Sequence, residues 1–462
     1  MRVMVIGINY APDLIGVAKY TTELCESLTL DGHEVRVVTA PPYYPDWRVP
    51  AGYRSIWYKR HRLNDVDIMR APIYVPRRPS GAKRLLHHAS FLLSATIPLL
   101  WTAVRWRPDI VFAVAPSLLS APIAGLAATM TGAASWLHVQ DMEIDAAFEL
   151  GLLRKNATRK LMLGVERWIL HSFDRISTIS PQMMRCLERK GIAPERLCEF
   201  RNSVDTSVIV PGSNQTSFRS DLHLKPTDIV ALYSGAMSNK QGLELIIEAA
   251  AATRISHPSL QFVLCGNGSV KPALIRMASG LSNVHILGLQ PQERVSELLN
   301  TADIHLLPQK AEISDLVLPS KLAGMLASGR PVVAMAAHGT GIALETEGAG
   351  LVIPPGDAQA LAAAVIALAE DAAMRASLGA VARARAMQKW DRASIMRSLE
   401  LEFQALLHPA TVAARRLRQP AQTVRSIERV TTGSRRRPES PDRISANRRL
   451  RPNARSVGSG KE

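Results

Sequence analysis

Short apolar runs alternate with helical patterns in two successive series, and this alternation constrains the fold more than any other feature. Such alternation is typical of parallel strands joined by helical crossovers. With 462 residues, 47% of them apolar, the chain is long enough for two cores. We therefore predict two doubly wound α/β domains. The predicted strands are Val3–Ile8, Glu34–Thr39, Asp109–Ala113, Ala134–Val139 and Arg175–Ser180, then Ile229–Ser234, Leu260–Cys265, Val284–Leu287, Ala302–Leu307, Val332–Ala336 and Gly350–Ile353.

The boundary between the two domains is predicted at Asn202-Ser203-Val204-Asp205, which a polar stretch containing Pro and Gly follows. We predict a first domain over 1–203 and a second over 204–382. A long final helix is predicted at about 383–407, after the second sheet is complete.

The last 53 residues differ from the rest in charge. Over 410–462 there are 14 Lys and Arg against 4 Asp and Glu, so this tail holds +10 of the net charge of +16. The tail is rich in Arg, Pro and Ser and has too few large apolar residues for a packed core. We therefore predict that it is disordered. Contact with anionic lipid, non-specific contact with nucleic acid, and a solvated tail without a partner all remain open. No aromatic is interleaved to stack on bases, and we expect no specific nucleic-acid partner.

The four cysteines are scattered, without a CxxC pair or a metal-ligand spacing. This pattern predicts a reducing, cytoplasmic location and no structural zinc. The apolar start of the chain is predicted to be a buried strand rather than a signal peptide.

One segment raises the question of a membrane. Residues 85–104 contain no Asp, Glu, Lys or Arg and are flanked by basic residues. About 20 apolar residues can span a bilayer, yet Ser90, Ser94, Thr96 and Pro98 dilute this run. A spanning helix, a helix that docks on the membrane surface and an outer helix of a βαβ unit are the three interpretations left open.

Several loops that follow predicted strands carry residues suited to an anionic ligand. Gly16 precedes a predicted helix after the first strand, and Gly235 and Lys240 lie between a strand and a helix in the second half. Glycine lets a phosphate approach the backbone, and free N–H groups at a helix start favour negative charge. Pro319-Ser320-Lys321 follows the strand that ends near Leu307, where an open α/β sheet binds nucleotides.

These motifs resemble those of GT-B glycosyltransferases, in particular glycosyltransferase family 4, and most of all its bacterial exopolysaccharide branch of the colanic-acid kind. The resemblance covers roughly residues 1–407. It includes the Gly-His-Glu-Val turn at 32–35, Asn202-Ser203-Val204-Asp205, and the stretch from Pro319 to Ala334 that contains Gly329-Arg330-Pro331. It implies the GT-B fold: two Rossmann-like domains that face a cleft, the first on the acceptor side and the second on the donor side, with the final helix returning to the first.

The resemblance also implies roles for particular residues. The diphosphate of a nucleotide sugar would lie at the loop of Lys240, which would stabilise the leaving group as its charge grows. His138 and Asp141 are candidates of equal standing for the reacting sugar, because Gln140 stands where the family has histidine and His138 lies two residues earlier on the same strand face. The implied donor-binding residues are Gly16, Gly235, Lys240, Gly266, Asn267, Pro319, Ser320 and Lys321.

The chain departs from the family at its donor carboxylates. Two glutamates eight residues apart are usual, but Leu316 and Gly324 occupy these positions, and Gly341 lies where a further glutamate is common. Glu312, Asp315 and Glu345 are near enough in sequence to serve in part.

The expected function is transfer of a hexose from a nucleoside-diphosphate sugar to a lipid-linked or glycan acceptor in bacterial exopolysaccharide biosynthesis. The resemblance implies retention of anomeric configuration and no need for a metal or other cofactor. It places the enzyme in the cytoplasm, in peripheral contact with the inner face of the plasma membrane. A sugar-nucleotide epimerase of the same fold and a non-catalytic polysaccharide-assembly component are the alternatives.

Overall fold

The computed structural model describes residues 1–13, 16–44, 46–78, 80–141, 156–310 and 318–412. Its first sheet has eight strands in the order β3-β4-β2-β1-β5-β6-β7-β8, and all neighbours are parallel except β3 and β4. The strands are β1 Arg2–Ile6, β2 Glu34–Thr39, β3 Lys59–Leu63, β4 Val66–Arg70, β5 Ile110–Ala115, β6 Ala134–Val139, β7 Arg175–Thr178 and β8 Leu197–Glu199.

The second sheet has six parallel strands in the order β11-β10-β9-β12-β13-β14. The strands are β9 Ile229–Ser234, β10 Leu260–Cys265, β11 Val284–Leu287, β12 Ile304–Leu307, β13 Val332–Met335 and β14 Gly350–Ile353. This is the strand order of a dinucleotide-binding fold, in which the chain reverses its direction across the sheet between the first and fourth strands. The prediction of two Rossmann-like α/β domains is confirmed.

Helices connect the strands in both domains. In the first half they are α1 Val17–Leu30, α2 Gly81–Trp106, α3 Ala121–Thr131, α4 Asn156–Ser172 and α5 Pro181–Arg189. In the second half they are α6 Ser217–Asp221, α7 Glu244–Thr253, α8 Lys271–Met277, α9 Val295–Thr301, α10 Lys321–Ala327, α11 Gly341–Thr346, α12 Ala358–Glu370, α13 Ala372–Lys389 and α14 Arg392–Leu407.

The chain passes from the second sheet back to the first at a short segment between α13 and α14. The N–H of Val204 donates to the carbonyl of Trp390 at 2.8 Å, and Arg392 donates to Val204 at 2.9 Å. On α14, Phe403 packs at the ring of Trp136 in the first core. The single final helix predicted at about 383–407 is therefore two helices, and α14 is the one that packs on the first sheet.

The carboxyl edges of the two sheets face each other. Tyr20, in the first turn of α1, shares a hydrogen bond with Ser320, which immediately precedes α10. Gln182, in the first turn of α5, lies against Gly341, the first residue of α11. Because these four residues all follow the carboxyl ends of strands, the space between the sheets is bounded by the loops that carry the predicted site residues.

Helix α2 has two apolar faces. Phe91, Ala95 and Leu99 are fully buried in the first core, whereas Leu93 and Ile97 on the other face are each 73% exposed. Within the described ranges α2 is the helix whose length and composition would allow it to cross a membrane.

Some of the sequence predictions concern residues that the structure does not describe. The described part of the chain ends at residue 412, so the basic tail beyond it lies outside the described residues. The same holds for three positions of the carboxylate segment: Glu312, Asp315 and Leu316.

Candidate donor site at the second sheet

The second sheet reverses its strand order between β9 and β12, and ligands of open α/β sheets bind beyond the carboxyl ends of strands at such a point. The loop after β9, the turn after β10 and the start of α10 meet here. We call residues 235–242 together with Gly266, Asn267 and Gly268 the glycine cradle. It contains the predicted donor residues Gly235, Gly266 and Asn267.

The two halves of the cradle pack backbone to backbone. The N–H of Met237 donates to the carbonyl of Asn267 at 2.8 Å, and Gly235 donates to Cys265 at 3.0 Å. A Cβ at Gly266 would overlap the carbonyl oxygen of Gly235, and one at Gly268 would overlap that of Met237. Both positions therefore require glycine for steric reasons, independently of any ligand.

Three backbone N–H groups of the cradle are available to an anion. Those of Ala236, Ser238 and Asn239 have no hydrogen-bond acceptor among the described residues, and all three residues are at least partly exposed. Successive N–H groups in a turn form an anion-binding concavity. The cradle can thus accept phosphate oxygens without displacing any existing hydrogen bond.

Lys321 places a cation beside this concavity. Its Nζ donates to Gln241 Oε1 at 2.6 Å and to the hydroxyl of Tyr233 at 3.2 Å, and it lies 4.2 Å from the centre of the Tyr233 ring. It has no carboxylate partner among the described residues. Burial without a counter-charge lowers the pKa of Lys321 to about 7. An anionic ligand would supply the missing counter-charge.

The remaining predicted donor residues lie around this centre. Ser320 is exposed and Pro319 is half-buried, and both directly precede Lys321. Gly16 caps α1 with a φ of +65°, four residues before the Tyr20 that contacts Ser320. Gly16 therefore lies on the first-domain side of the cleft.

Lys271 is a part of the site that the sequence analysis missed. Its Nζ donates to Asn267 Oδ1 at 3.0 Å, to the carbonyl of Gly266 at 3.1 Å and to that of Leu287 at 3.0 Å. It therefore fixes the turn after β10 rather than facing a ligand directly. The only sequence signal was its position four residues after Asn267, at the start of a helix.

Two of the predicted catalytic residues remain predictions. Lys240 lies by its backbone in the short turn Asn239–Gln241 of the cradle, and its side chain lies outside the described part of the structure. Asp141 is half-buried, two residues beyond the end of β6.

The structure does not place His138 in the cleft. The residue is 2% exposed, with Nδ1 at 2.8 Å from Ser177 Oγ and Nε2 at 2.9 Å from the amide nitrogen of Gln140. An amide nitrogen has two N–H donors and no acceptor; one donates to Asn202 Oδ1 at 2.9 Å and the other to His138. His138 Nε2 therefore accepts, and the ring is neutral. Burial lowers the pKa of His138 to about 3. The expectation that His138 reaches the reacting sugar in place of Gln140 fails, because Gln140 covers it.

Asp13 is a second residue that the sequence analysis missed. It follows β1, is 8% exposed, and accepts hydrogen bonds from the N–H groups of Tyr43 and Tyr44, while its Oδ2 has no partner among the described residues. Burial raises the pKa of Asp13 to about 6, because its effect is larger than that of the hydrogen bonds and of Arg70, which lower this pKa. A buried carboxyl group that titrates near neutrality beside a cleft is a candidate for acid–base work.

Two of the positions that lack the family's carboxylates, Gly324 and Gly341, have close neighbours. A Cβ at Gly324 would lie 3.3 Å from a methyl group of Leu299, and one at Gly341 would lie 3.1 Å from the amide carbon of Gln182. Glu345 joins the two domains through one oxygen: its Oε1 is 2.8 Å from Nη1 of Arg201, while its Oε2 has no hydrogen-bond partner among the described residues. Its service in place of the carboxylate expected near Gly341 stays a prediction.

Within the described ranges no group of three or more His, Cys, Asp or Glu residues is arranged to hold a metal ion. The expectation of metal independence stays a prediction.

Comparison with known proteins assigns both halves of the chain. Residues 16–203 match the model of the glycosyl transferase 4-like domain, and residues 228–371 match that of glycosyl transferases group 1. The chain is 39% identical over 407 residues to the putative colanic acid biosynthesis glycosyl transferase WcaI of Escherichia coli K12, covering 86% of this chain and 98% of that protein.

Solved structures share the fold. The sucrose-phosphate synthase from Thermosynechococcus elongatus superposes with a TM-score of 0.68 at 18% identity, over 88% of this chain and 98% of that one. Anabaena HepE, solved in complex with UDP-glucose, superposes with a TM-score of 0.64 at 16% identity, over 88% and 100% of the two chains. The solved structures show the GT-B fold, and the two family matches together with the E. coli relative show that the chain belongs to the group 1, family 4 glycosyltransferases.

Proposed function

We propose that the protein is a retaining glycosyltransferase that moves a hexose from a nucleoside-diphosphate sugar to a lipid-linked or glycan acceptor in exopolysaccharide biosynthesis. The diphosphate would occupy the glycine cradle, with Lys321 and Lys240 as its cations and no metal ion. The name of the E. coli relative supports the exopolysaccharide assignment, and the complex of HepE with UDP-glucose supports a nucleoside-diphosphate sugar as donor.

The observation that carries this proposal lies at the β9–β12 switch point. Three backbone N–H groups without an acceptor lie there beside Lys321, which has no carboxylate partner among the described residues. As the bond between the sugar and the diphosphate breaks, negative charge grows on the leaving oxygens. Donors already fixed around that charge stabilise the transition state more than the ground state. Lys321 gains most from this change, because its own charge is otherwise uncompensated.

The proton of the acceptor hydroxyl would go to the leaving phosphate. In a front-face displacement the acceptor oxygen bonds to the anomeric carbon on the side from which the diphosphate leaves, so the configuration is retained. The leaving phosphate oxygen takes the proton, and no separate protein base is needed. The neutral, covered state of His138 supports this route, since that ring could not accept a proton without breaking its contact with Gln140.

Contact with the inner face of the plasma membrane is part of the proposal. The exposed face of α2 presents Leu93, Ile97 and Trp101, and basic residues flank both ends of the helix. Apolar side chains bordered by basic ones favour a surface of anionic lipids. A lipid-linked acceptor would reach the cleft from that surface.

The test is calorimetric binding of GDP, UDP, ADP and CMP to the full chain, followed by product analysis with the matching nucleotide sugar and a membrane extract. We expect selective binding of one nucleotide that Lys321→Ala weakens, and a product with retained configuration. Exposed Lys225→Ala is the matched control, because it removes a lysine of the second domain outside the cradle. Absence of nucleotide binding, or formation of an epimerised nucleotide sugar, would overturn the proposal.

A further inference from the structure

A cavity of about 600 Å³ lies in the first domain, away from the glycine cradle. Its walls come from the loop after β2, the segment after β4 and one side of α2. The described lining residues are Trp47, Arg48, Val49, Ser55, Ile56, Pro72, Ile73, Tyr74, Val75, Arg77, Ser90 and Ser94. Both connecting segments follow the carboxyl ends of parallel strands, so the cavity lies at the same edge of the first sheet as the cleft. Its volume is that of an ordinary small-molecule site.

Hydrogen bonds hold the three walls together. Ile73 donates its N–H to the carbonyl of Ser55 at 2.8 Å, which joins the two connecting segments. Ser94 Oγ donates to the carbonyl of Pro72 at 2.5 Å, and Tyr74 donates its N–H to Ser90 Oγ at 2.9 Å, which join the second segment to α2. These bonds occupy the hydroxyl groups of Ser90 and Ser94, and much of the remaining lining is aliphatic or aromatic.

The charge of the cavity has one sign. Arg48 and Arg77 line it, both are exposed, and neither has a carboxylate partner among the described residues. The described lining residues include no Asp or Glu. Two unpaired guanidinium groups beside an apolar wall fit a ligand with a phosphate at one end and a hydrocarbon chain at the other.

The cavity borders the exposed apolar face of α2, because Ser90 and Ser94 line it and Leu93 and Ile97 lie within one helical turn of Ser94. Ile56 lines it and is 72% exposed, and the next residue, Trp57, is 63% exposed. The hydroxyl of Tyr58 donates to the carbonyl of Ser94 at 2.8 Å, which fixes this apolar loop against the helix. A hydrocarbon chain leaving the cavity would therefore meet Leu93 and Ile97 rather than water.

We propose that this cavity binds the phosphate and the first part of the chain of a long-chain lipid phosphate, which is the membrane-borne end of the acceptor. The inference rests on the proposed function in taking that acceptor to be lipid-linked. The guanidinium groups of Arg48 and Arg77 hold the phosphate, the apolar walls hold the chain, and the sugar end points into the cleft. Bulk anionic phospholipid and free phosphate are the competing ligands, and the test separates them.

The experiment is flotation of the full chain with three kinds of phosphatidylcholine vesicle. One kind contains a polyprenyl phosphate, one contains phosphatidylglycerol at equal surface charge, and one contains neither. We expect the wild type to bind the first kind about ten-fold more tightly than the second, because two charge-assisted contacts act on a single phosphate. Arg48→Ser/Arg77→Ser should abolish this preference. Ile56→Glu, at an exposed position on the rim, should also abolish it.

The matched control is Arg78→Ser/Lys83→Ser. These two residues are exposed, lie beside the same face and do not line the cavity. This variant should bind all anionic vesicles more weakly but keep the preference for the lipid phosphate. Loss of the preference in the control as well would overturn the inference, because the effect would then be general surface charge.

Two further outcomes would also overturn the inference: equal binding of the two anionic vesicles by the wild type, or full competition by millimolar inorganic phosphate. Calorimetry of nucleotide binding separates the failures and checks folding. If Arg48→Ser/Arg77→Ser keeps its nucleotide affinity and loses the lipid preference, the cavity is the lipid site. If no variant and no wild type binds nucleotide while the lipid preference stands, the proposed donor function fails and the lipid site remains.

Discussion

Lys321 should take up a proton when the donor diphosphate binds. Burial without a counter-charge lowers its pKa from the ordinary 10.5 to about 7, so at pH 8 about one lysine in ten is charged in the free protein. A diphosphate in the cradle favours the charged form and raises this pKa. Binding at pH 8 should therefore take up about 0.8 proton, whereas binding at pH 6 should take up about 0.1.

The size of the effect follows from the shift. A difference of 3.5 pKa units corresponds to about 5 kcal/mol between the two protonation states. Because Lys321 keeps partial contact with solvent, we expect about half of this to be recovered on binding. The proton is bound in the complex and not in the free protein, so affinity falls as pH rises above about 7, by at most about ten-fold per pH unit.

Isothermal calorimetry at pH 8 in HEPES and in Tris measures the uptake, because the two buffers differ in ionisation enthalpy. Lys321→Gln should take up no proton and should bind the nucleotide more weakly than the wild type at pH 6.5. Lys321→Arg should take up no proton, and its affinity should change little as pH rises above 7. These variants also correct for the nucleotide's own phosphate, which ionises near pH 6. If the wild-type enthalpy at pH 8 is the same in both buffers, Lys321 does not receive the proton and the phosphate lies elsewhere.

Three further variants test other parts of the description. Lys240→Ala should lower kcat/KM, and the fall should correspond to a loss of about 2 to 4 kcal/mol of transition-state stabilisation. Unchanged turnover would contradict the assignment of the cradle. Glu345→Ala should lower the free energy of unfolding in urea by about 1 to 2 kcal/mol, because Arg201 loses its interdomain partner but keeps Glu199 at 2.6 Å; a change under about 0.5 kcal/mol would contradict this. The raised pKa of Asp13 makes its charged form unfavourable in the fold. The free energy of unfolding of the wild type should therefore fall by up to about 3 kcal/mol as pH rises from about 4 to 6. Asp13→Asn should lose this slope when unfolding is measured across that pH range.

The strands that sequence predicts best are those buried on both faces. The bounds of Ala134–Val139 and Ile229–Ser234 agree with the prediction, because each is a short, mainly apolar segment bounded by polar residues or glycine. The edge strand Lys59–Leu63 was missed. Its sequence is mostly basic, it is largely exposed, and antiparallel pairing with Val66–Arg70 is what makes it a strand. Backbone pairing at a sheet edge leaves no apolar pattern to read.

The residues of the candidate site also differ in how well the sequence predicts them. The positions of Gly235 and Gly266 could be predicted, since a glycine directly after a buried strand is a local pattern, although the steric need at Gly266 comes from the distant carbonyl of Gly235. The closure of His138 by Gln140 depends on Asn202, which lies 62 residues after Gln140. Strand periodicity gave the correct shared face for the two residues but not the order in which they approach the cleft. Contacts of this range are set by tertiary packing, and no local spacing encodes them.

At Gly341 the missing carboxylate and the interdomain contacts have a common origin. The end of β13 leads to Gly341, which lies against Gln182 of the first domain, and α11 carries Glu345 to Arg201. This edge of the second sheet is therefore occupied by contact with the first domain, and a carboxylate at 341 would have to displace Gln182. The ends of β9 and β10 carry no such contact in the described residues, and the N–H groups of Ala236, Ser238 and Asn239 have no acceptor there. The proposed donor site would thus rely on backbone N–H groups and cations at the switch point rather than on carboxylates at positions 324 and 341.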